Sequence, residues 1–230
     1  QAESRVALVI GNSAYQVNKP LNNPVNDAQA VSQMLNQAGF EVVMAFDLTR
    51  DIMKQTVEEF AARVLEKGNN TVAMVYYAGH GIEVGGINYL IPVDAELAAA
   101  SHVDDEAMPL DRVLAKVEGA KKLRLVILDA CRENPFAVKM ASAGTTRSIG
   151  RGLARIEPEA GVLVAYSAKD GQVAQDGDGA NSPFAQSLLK YLDEPGLEIN
   201  MLFRRVYDDV KTATSGQQIP FTYGALPAEA

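Results

Sequence analysis

Four short runs of this chain are apolar almost from end to end: RVALVIG at 5–11, TVAMVYYA at 71–78, LRLVIL at 123–128 and GVLVAYS at 161–167. Each is too short for a buried helix and ends at a polar residue or glycine. A strand covered on both faces reads as a continuous apolar run, not as an alternating one. A further strand is expected at 40–46, and a hairpin at 83–93 around Gly85-Gly86. Helical patterns lie between the strands. One spans 25–38, with Val31, Met34, Leu35 and Ala38 on a single face and Gly39 as its stop. Others span about 51–67, 109–117, 183–192 and 199–212, the one at 183–192 opening on Ser182-Pro183. Strands alternating with helices specify an α/β fold: a mostly parallel central sheet flanked by helices on both faces.

In such sheets ligands bind beyond the carboxyl ends of the strands. Two motifs fall there. The third strand runs into Gly79-His80-Gly81, and the fourth into Asp129-Ala130-Cys131. Cys131 is the sole cysteine among 230 residues, so no internal disulfide exists and the thiol is free or intermolecular. A free cysteine often serves only as a small buried hydrophobe. A strand-end histidine changes that reading. An imidazole near a thiol favours the thiolate and can later protonate a leaving amine. Gly81 leaves room for a substrate carbonyl, and the N–H groups of Gly81 and Cys131 are candidates to hold its oxyanion.

Composition narrows the partners. The net charge of −8 argues against a general nucleic-acid or anionic-membrane binder and suits a cationic substrate. No apolar run approaches the ~20 residues of a membrane span. No glycine-rich phosphate loop with its lysine is present. The opening QAESRVALVIGN has no basic-then-apolar targeting pattern, and the location stays open between a cytoplasm and, after loss of a leader, a periplasm.

YYAGHG followed about 50 residues later by LDACR resembles the caspase-type cysteine peptidases, the clan of caspases, metacaspases and paracaspases. The resemblance runs from RVALVIGN to the YSA strand and is nearest to bacterial metacaspase-like, or orthocaspase, proteins. The caspase pentapeptide around the nucleophile is absent, because Glu133-Asn134 follow Cys131-Arg132. The resemblance implies one domain over 1–230: a larger part at about 1–140, a linker at about 141–160 and a smaller part at about 161–230. It implies a Cys131–His80 dyad, an endopeptidase activity, no required cofactor and a monomer acting on proteins or peptides with basic residues.

Within that clan, enzymes that cut after Arg or Lys use acidic pocket residues. The segment LNNPVNDA is similar to the metacaspase stretch whose aspartate lines the pocket, which maps to Asp27; the acid two before the nucleophile maps to Asp129. Ser167 and Asp170, in SAKD, are further substrate-binding candidates. Two carboxylates on one pocket floor prefer a guanidinium, which pairs with them bidentately. Asp27 as a helix cap and Asp129 as a turn stabiliser are the simpler alternatives. Some metacaspases bind calcium through clustered aspartates, and Asp94, Asp104 and Asp105 resemble part of such a cluster, or a plain acidic loop. DGDG at 176–179 reads equally as a calcium string or a turn. If cleavage follows arginine, Arg147, Arg151 and Arg155 in the linker become self-cleavage sites. A catalytically silent caspase-like binding or scaffold module is the alternative function.

Overall fold

The structure is a computed structural model and describes residues 2–131, 136, 149–150, 153, 161–169, 172–224 and 226, with Cys131, Ile149 and Gly150 described by backbone alone. The first half runs β1 (Ser4–Gly11), α1 (Pro24–Gln37), β2 (Glu41–Phe46), α2 (Arg50–Lys67), β3 (Thr71–Val84) and β4 (Ile87–Leu90). After a 3-10 turn at Ala100–His102 come α3 (Val103–Glu106), β5 (Met108–Pro109), α4 (Leu110–Lys116) and β6 (Leu123–Cys131). Then follow β7 (Ile149–Gly150), β8 (Val162–Tyr166), α5 (Pro183–Leu192), α6 (Ile199–Ala213) and β9 (Phe221–Gly224).

The main sheet has the order β2-β1-β3-β6-β8-β9, parallel throughout except for β9. Its two faces follow from the two-residue period of a strand. Val6, Leu8 and Ile10 of β1 join Met53, Val57, Phe60 and Val64 of α2 and Leu110 and Val113 of α4. Ala7 and Val9 join Ala28, Val31 and Leu35 of α1, with Leu188 of α5 and Phe203 and Val206 of α6. The apolar runs read from the sequence are therefore strands buried on both faces, as expected.

Gly11 decides where α1 begins. A Cβ there would stand 2.4 Å from the Pro24 carbonyl oxygen. Only glycine lets the helix start this close to the strand end, and the closeness carries Asp27, in the first turn, to the edge of the sheet.

β3 departs from expectation. The run was expected to stop at Ala78, yet the strand continues to Val84. Pairing with β6 persists through Gly79–Ala130 and His80–Cys131, so hydrogen bonding carries the backbone past the glycine. Beyond it, the strand leaves the main sheet and folds back on β4, from Gly81–Leu90 to Val84–Ile87. Gly85 and Gly86, with φ of 62° and 85°, make the two-residue turn. A separate apolar cluster of Tyr15, Ile82, Val84, Tyr89, Ile91 and Phe136 supports this hairpin.

Candidate active site

His80 and Cys131 are direct register partners on adjacent parallel strands, the last pair of the β3–β6 ladder. His80 is 3% exposed. Its Nε2 lies 3.1 Å from the Lys19 carbonyl oxygen. A carbonyl can only accept, so Nε2 carries the proton of this bond. The Tyr15 ring packs on the imidazole at 4.3 Å between centroids, and Phe136 meets it edge-on at 6.4 Å. The Lys19 carbonyl was not foreseen as part of this site. Gly81 sits at the point where β3 turns away. The Ile91 N–H donates to the His80 carbonyl at 3.1 Å, which makes Gly81–Leu90 the non-hydrogen-bonded kind of antiparallel pair. The Gly81 N–H is thus not spent on β4.

Beside this pair lies a buried cluster of acids. Asp129 is two residues before Cys131 on β6, about 7 Å along the strand. Asp27, in the first turn of α1, is 1% exposed and Asp129 is 5% exposed. Asp27 is not the helix cap; Asn23 holds that position. The Asp27 carboxylate instead accepts from Asn181 Nδ2 at 2.8 Å and from the Ser182 N–H at 3.1 Å. Ser182 Oγ donates to Asp129 at 2.5 Å while accepting from the Ala185 N–H at 3.0 Å. One serine thus caps α5 and binds a pocket acid. Ser167, expected in this pocket, also hydrogen-bonds Asp129, as does Tyr76 at 3.4 Å.

A third carboxylate, Asp176, stands close enough to act electrostatically on both. It accepts from the backbone N–H groups of Asn22 at 2.7 Å and Asn23 at 3.1 Å, and the Asn23 side chain returns a bond to its carbonyl. DGDG thus ties the β1–α1 loop to the pocket, a use that neither a calcium string nor a plain turn describes.

Burial pushes the Asp27 carboxyl up to about 8, helped by the negative charge of Asp129 and, more weakly, of Asp176; the bonds from Asn181 and Ser182 oppose this. Burial also raises Asp129, to about 6, against the bonds from Ser182, Ser167 and Tyr76, with Asp176 adding to the rise. No cation among the described residues pairs with either acid. Buried carboxylates without a cationic partner cost the fold stability.

The three aspartates considered for calcium are each engaged with protein groups. Asp94 Oδ1 accepts from the Arg50 N–H at 2.8 Å and Asp104 Oδ1 from the Tyr89 hydroxyl at 2.5 Å, while the Asp105 carbonyl accepts from the Arg50 guanidinium at 2.9 Å. Among the described residues, no group of three or more His, Cys, Asp or Glu side chains is placed to hold a metal. Asp170, Arg147, Arg151 and Arg155 lie outside the described residues.

A mostly parallel sheet that presents a histidine and a cysteine side by side, at the point where one strand leaves for a hairpin, is the arrangement of a caspase-like fold. The chain belongs to the caspase domain family, Peptidase C14, whose model matches residues 4–229. It is similar to the human mucosa-associated lymphoid tissue lymphoma translocation protein 1 and to its homolog in Mus musculus, each 34% identical over 133 residues. That match covers 57% of this chain but only 15% of the length of either relative. The crystal structure of protein GSU0716 from Geobacter sulfurreducens shares the fold, with a TM-score of 0.69 at 17% identity over 98% of this chain and 95% of that one. The expected fold and family are both met.

Proposed function

We propose that this domain is a cysteine endopeptidase that cleaves after arginine or lysine. The observation that carries the reading is the buried pair Asp27 and Asp129, with Asp176 beside it and Cys131 two residues along the same strand. A guanidinium is planar, always charged and able to meet two carboxylates at once. With Nε2 of His80 committed to the Lys19 carbonyl, Nδ1 is the nitrogen that exchanges a proton with Cys131. The Cys131 thiolate attacks the scissile carbonyl and forms a thioester. The imidazolium gives its proton to the leaving amine, and water then hydrolyses the thioester with the same histidine as base. The N–H groups of Gly81 and Cys131 are the candidates to hold the oxyanion. The substrates are proteins or peptides with basic residues, the acting unit is a monomer, and no cofactor takes part.

The test is hydrolysis of three fluorogenic peptides with Arg, Lys or Asp before the reporter, by wild type and by Cys131→Ala. Arg is expected to exceed Lys, Asp to be inert, and the mutant to lose all cleavage. Calcium and chelator arms are expected to agree within about twofold, because among the described residues no group of three or more His, Cys, Asp or Glu side chains is placed to hold a metal. Cleavage after Asp would overturn the pocket assignment. Silence on all three would turn the domain into a binding module.

Self-processing follows from the same preference. Intact-mass measurement of incubated wild type is expected to give fragments ending at Arg147, Arg151 or Arg155, and Cys131→Ala to stay whole. Equal integrity of the two would exclude these sites.

A further inference from the structure

Both backbone polar groups of His80 are bound by tyrosine hydroxyls. The His80 N–H donates to Tyr15 Oη at 2.7 Å, and Tyr77 Oη donates to the His80 carbonyl at 2.7 Å. The two hydroxyls lie 3.3 Å apart, and each is 3.2 Å from the Ile91 carbonyl oxygen. Each hydroxyl has one proton to give. That of Tyr77 goes to the nearer His80 carbonyl, which leaves that of Tyr15 to the Ile91 carbonyl or to the Tyr77 oxygen. Both rings are buried, Tyr15 at 4% and Tyr77 at 0% exposure.

Gly79 makes the arrangement possible. Its φ is +156°, and a Cβ there would stand 2.7 Å from each of the two hydroxyl oxygens. The loop that carries Tyr15 grips the same histidine twice more, through the ring contact at 4.3 Å and through the Lys19 carbonyl on Nε2. The grip falls where β3 passes from the main sheet into its hairpin, between the last pair with β6 and the first pair with β4.

We infer that Tyr15 and Tyr77 are positioning residues for His80, setting the height and tilt of its ring against Cys131 through its own backbone. The inference rests on the peptidase reading above only where activity is the readout. It calls for Tyr15→Phe, which keeps the ring and removes the hydroxyl, and for Tyr77→Phe.

Tyr15→Phe is expected to lower kcat on an arginyl peptide about ten- to a hundredfold, as a slight misplacement of the reacting group does, with KM within twofold. The second readout is the 15N spectrum of the imidazoles. The chain has two histidines, so His102→Gln assigns the His80 signals. Wild type is expected to show one tautomer, protonated at Nε2, and Tyr15→Phe an average of two. A merely structural role would lower the melting temperature and leave both readouts at wild-type values, and that result would overturn the inference. If Tyr77→Phe does not fold, Tyr15→Phe decides. If wild type is silent on every peptide, the proposed function fails, and the tautomer measurement still decides the positioning.

Discussion

His80→Gln is expected to lower kcat roughly 10²–10⁴-fold, the usual worth of a positioned acid–base group, with KM on an arginyl peptide changed by no more than a small factor. Glutamine keeps the length of the side chain and can still donate to the Lys19 carbonyl. It cannot take and return a proton. The acidic pocket is built by other elements, so ground-state binding should persist while the transition state is lost. Steady-state kinetics with kcat and KM resolved separately are the measurement. A variant within tenfold of wild type in kcat would remove His80 from the acid–base role. A large rise in KM alone would instead make it part of the binding surface.

Asp27→Asn should act in opposite directions on activity and on stability. Truncating one charge of a buried, paired set costs 2–5 kcal/mol or more in recognition, and about 3 kcal/mol corresponds to a loss of roughly 10²-fold in kcat/KM for the arginyl peptide. The free protein should gain. In wild type the folded state holds its Asp27 proton up to about pH 8, whereas the unfolded chain releases it near the ordinary value of 3.8. Between those limits the folded state binds more protons than the unfolded one, so stability is complete below about pH 4 and falls as pH rises through the window. Asparagine can still accept from Asn181 and Ser182 and never ionises.

Each tenfold change in proton affinity between the folded and unfolded states is worth about 1.4 kcal/mol, and a chain of this size moves ~2–4 °C per kcal/mol. The mutant should therefore melt at least about 3 °C above wild type at pH 8.5 and level with it at pH 4. Thermal melts across that range, beside kinetics on the same preparations, would test both halves. A mutant that melts below wild type at pH 8.5 would mean that the ionised carboxylate stabilises the free fold. The same proton economy governs the ligand. A guanidinium needs the carboxylates charged, so its affinity should fall by up to about tenfold per pH unit as pH drops below the raised values.

The strands and the pairing of His80 with Cys131 were legible because each is carried by residue type and spacing. Apolar runs closed by glycine read as buried strands, and Ser182-Pro183 read as the start of a helix, which the structure places at Pro183–Leu192. Asp27 and Asp129 were legible only through resemblance, since an acid in a first helical turn has a simpler use. The structure puts Asn23, not Asp27, at the cap and bonds Asp27 to Asn181 and Ser182 instead. Two parts of the site were not legible. The Lys19 carbonyl is a backbone group and leaves no mark in the residue type. Asp176 meets Asn22 across 154 residues, a pairing that no local pattern encodes. β9 is four residues long with alternating half-exposed positions, too short a signal to stand above its loop. Gly79 after an apolar run reads as the end of the third strand, yet the strand runs on through it and the missing side chain admits two hydroxyls.

The short loop between β1 and α1 touches both halves of the site. Tyr15 and Lys19 hold the histidine, and three to four residues after Lys19 the amides of Asn22 and Asn23 hold Asp176 at the pocket. Selectivity and speed are thus written on one piece of chain. A change there that reshapes the pocket also disturbs the histidine, so mutations that improve either property will tend to trade against the other. New preferences are more freely reached from the opposite wall, through Asn181, Ser182 and the strand that bears Ser167. A descendant of this protein with an altered diet should carry its substitutions there and keep the loop as it is.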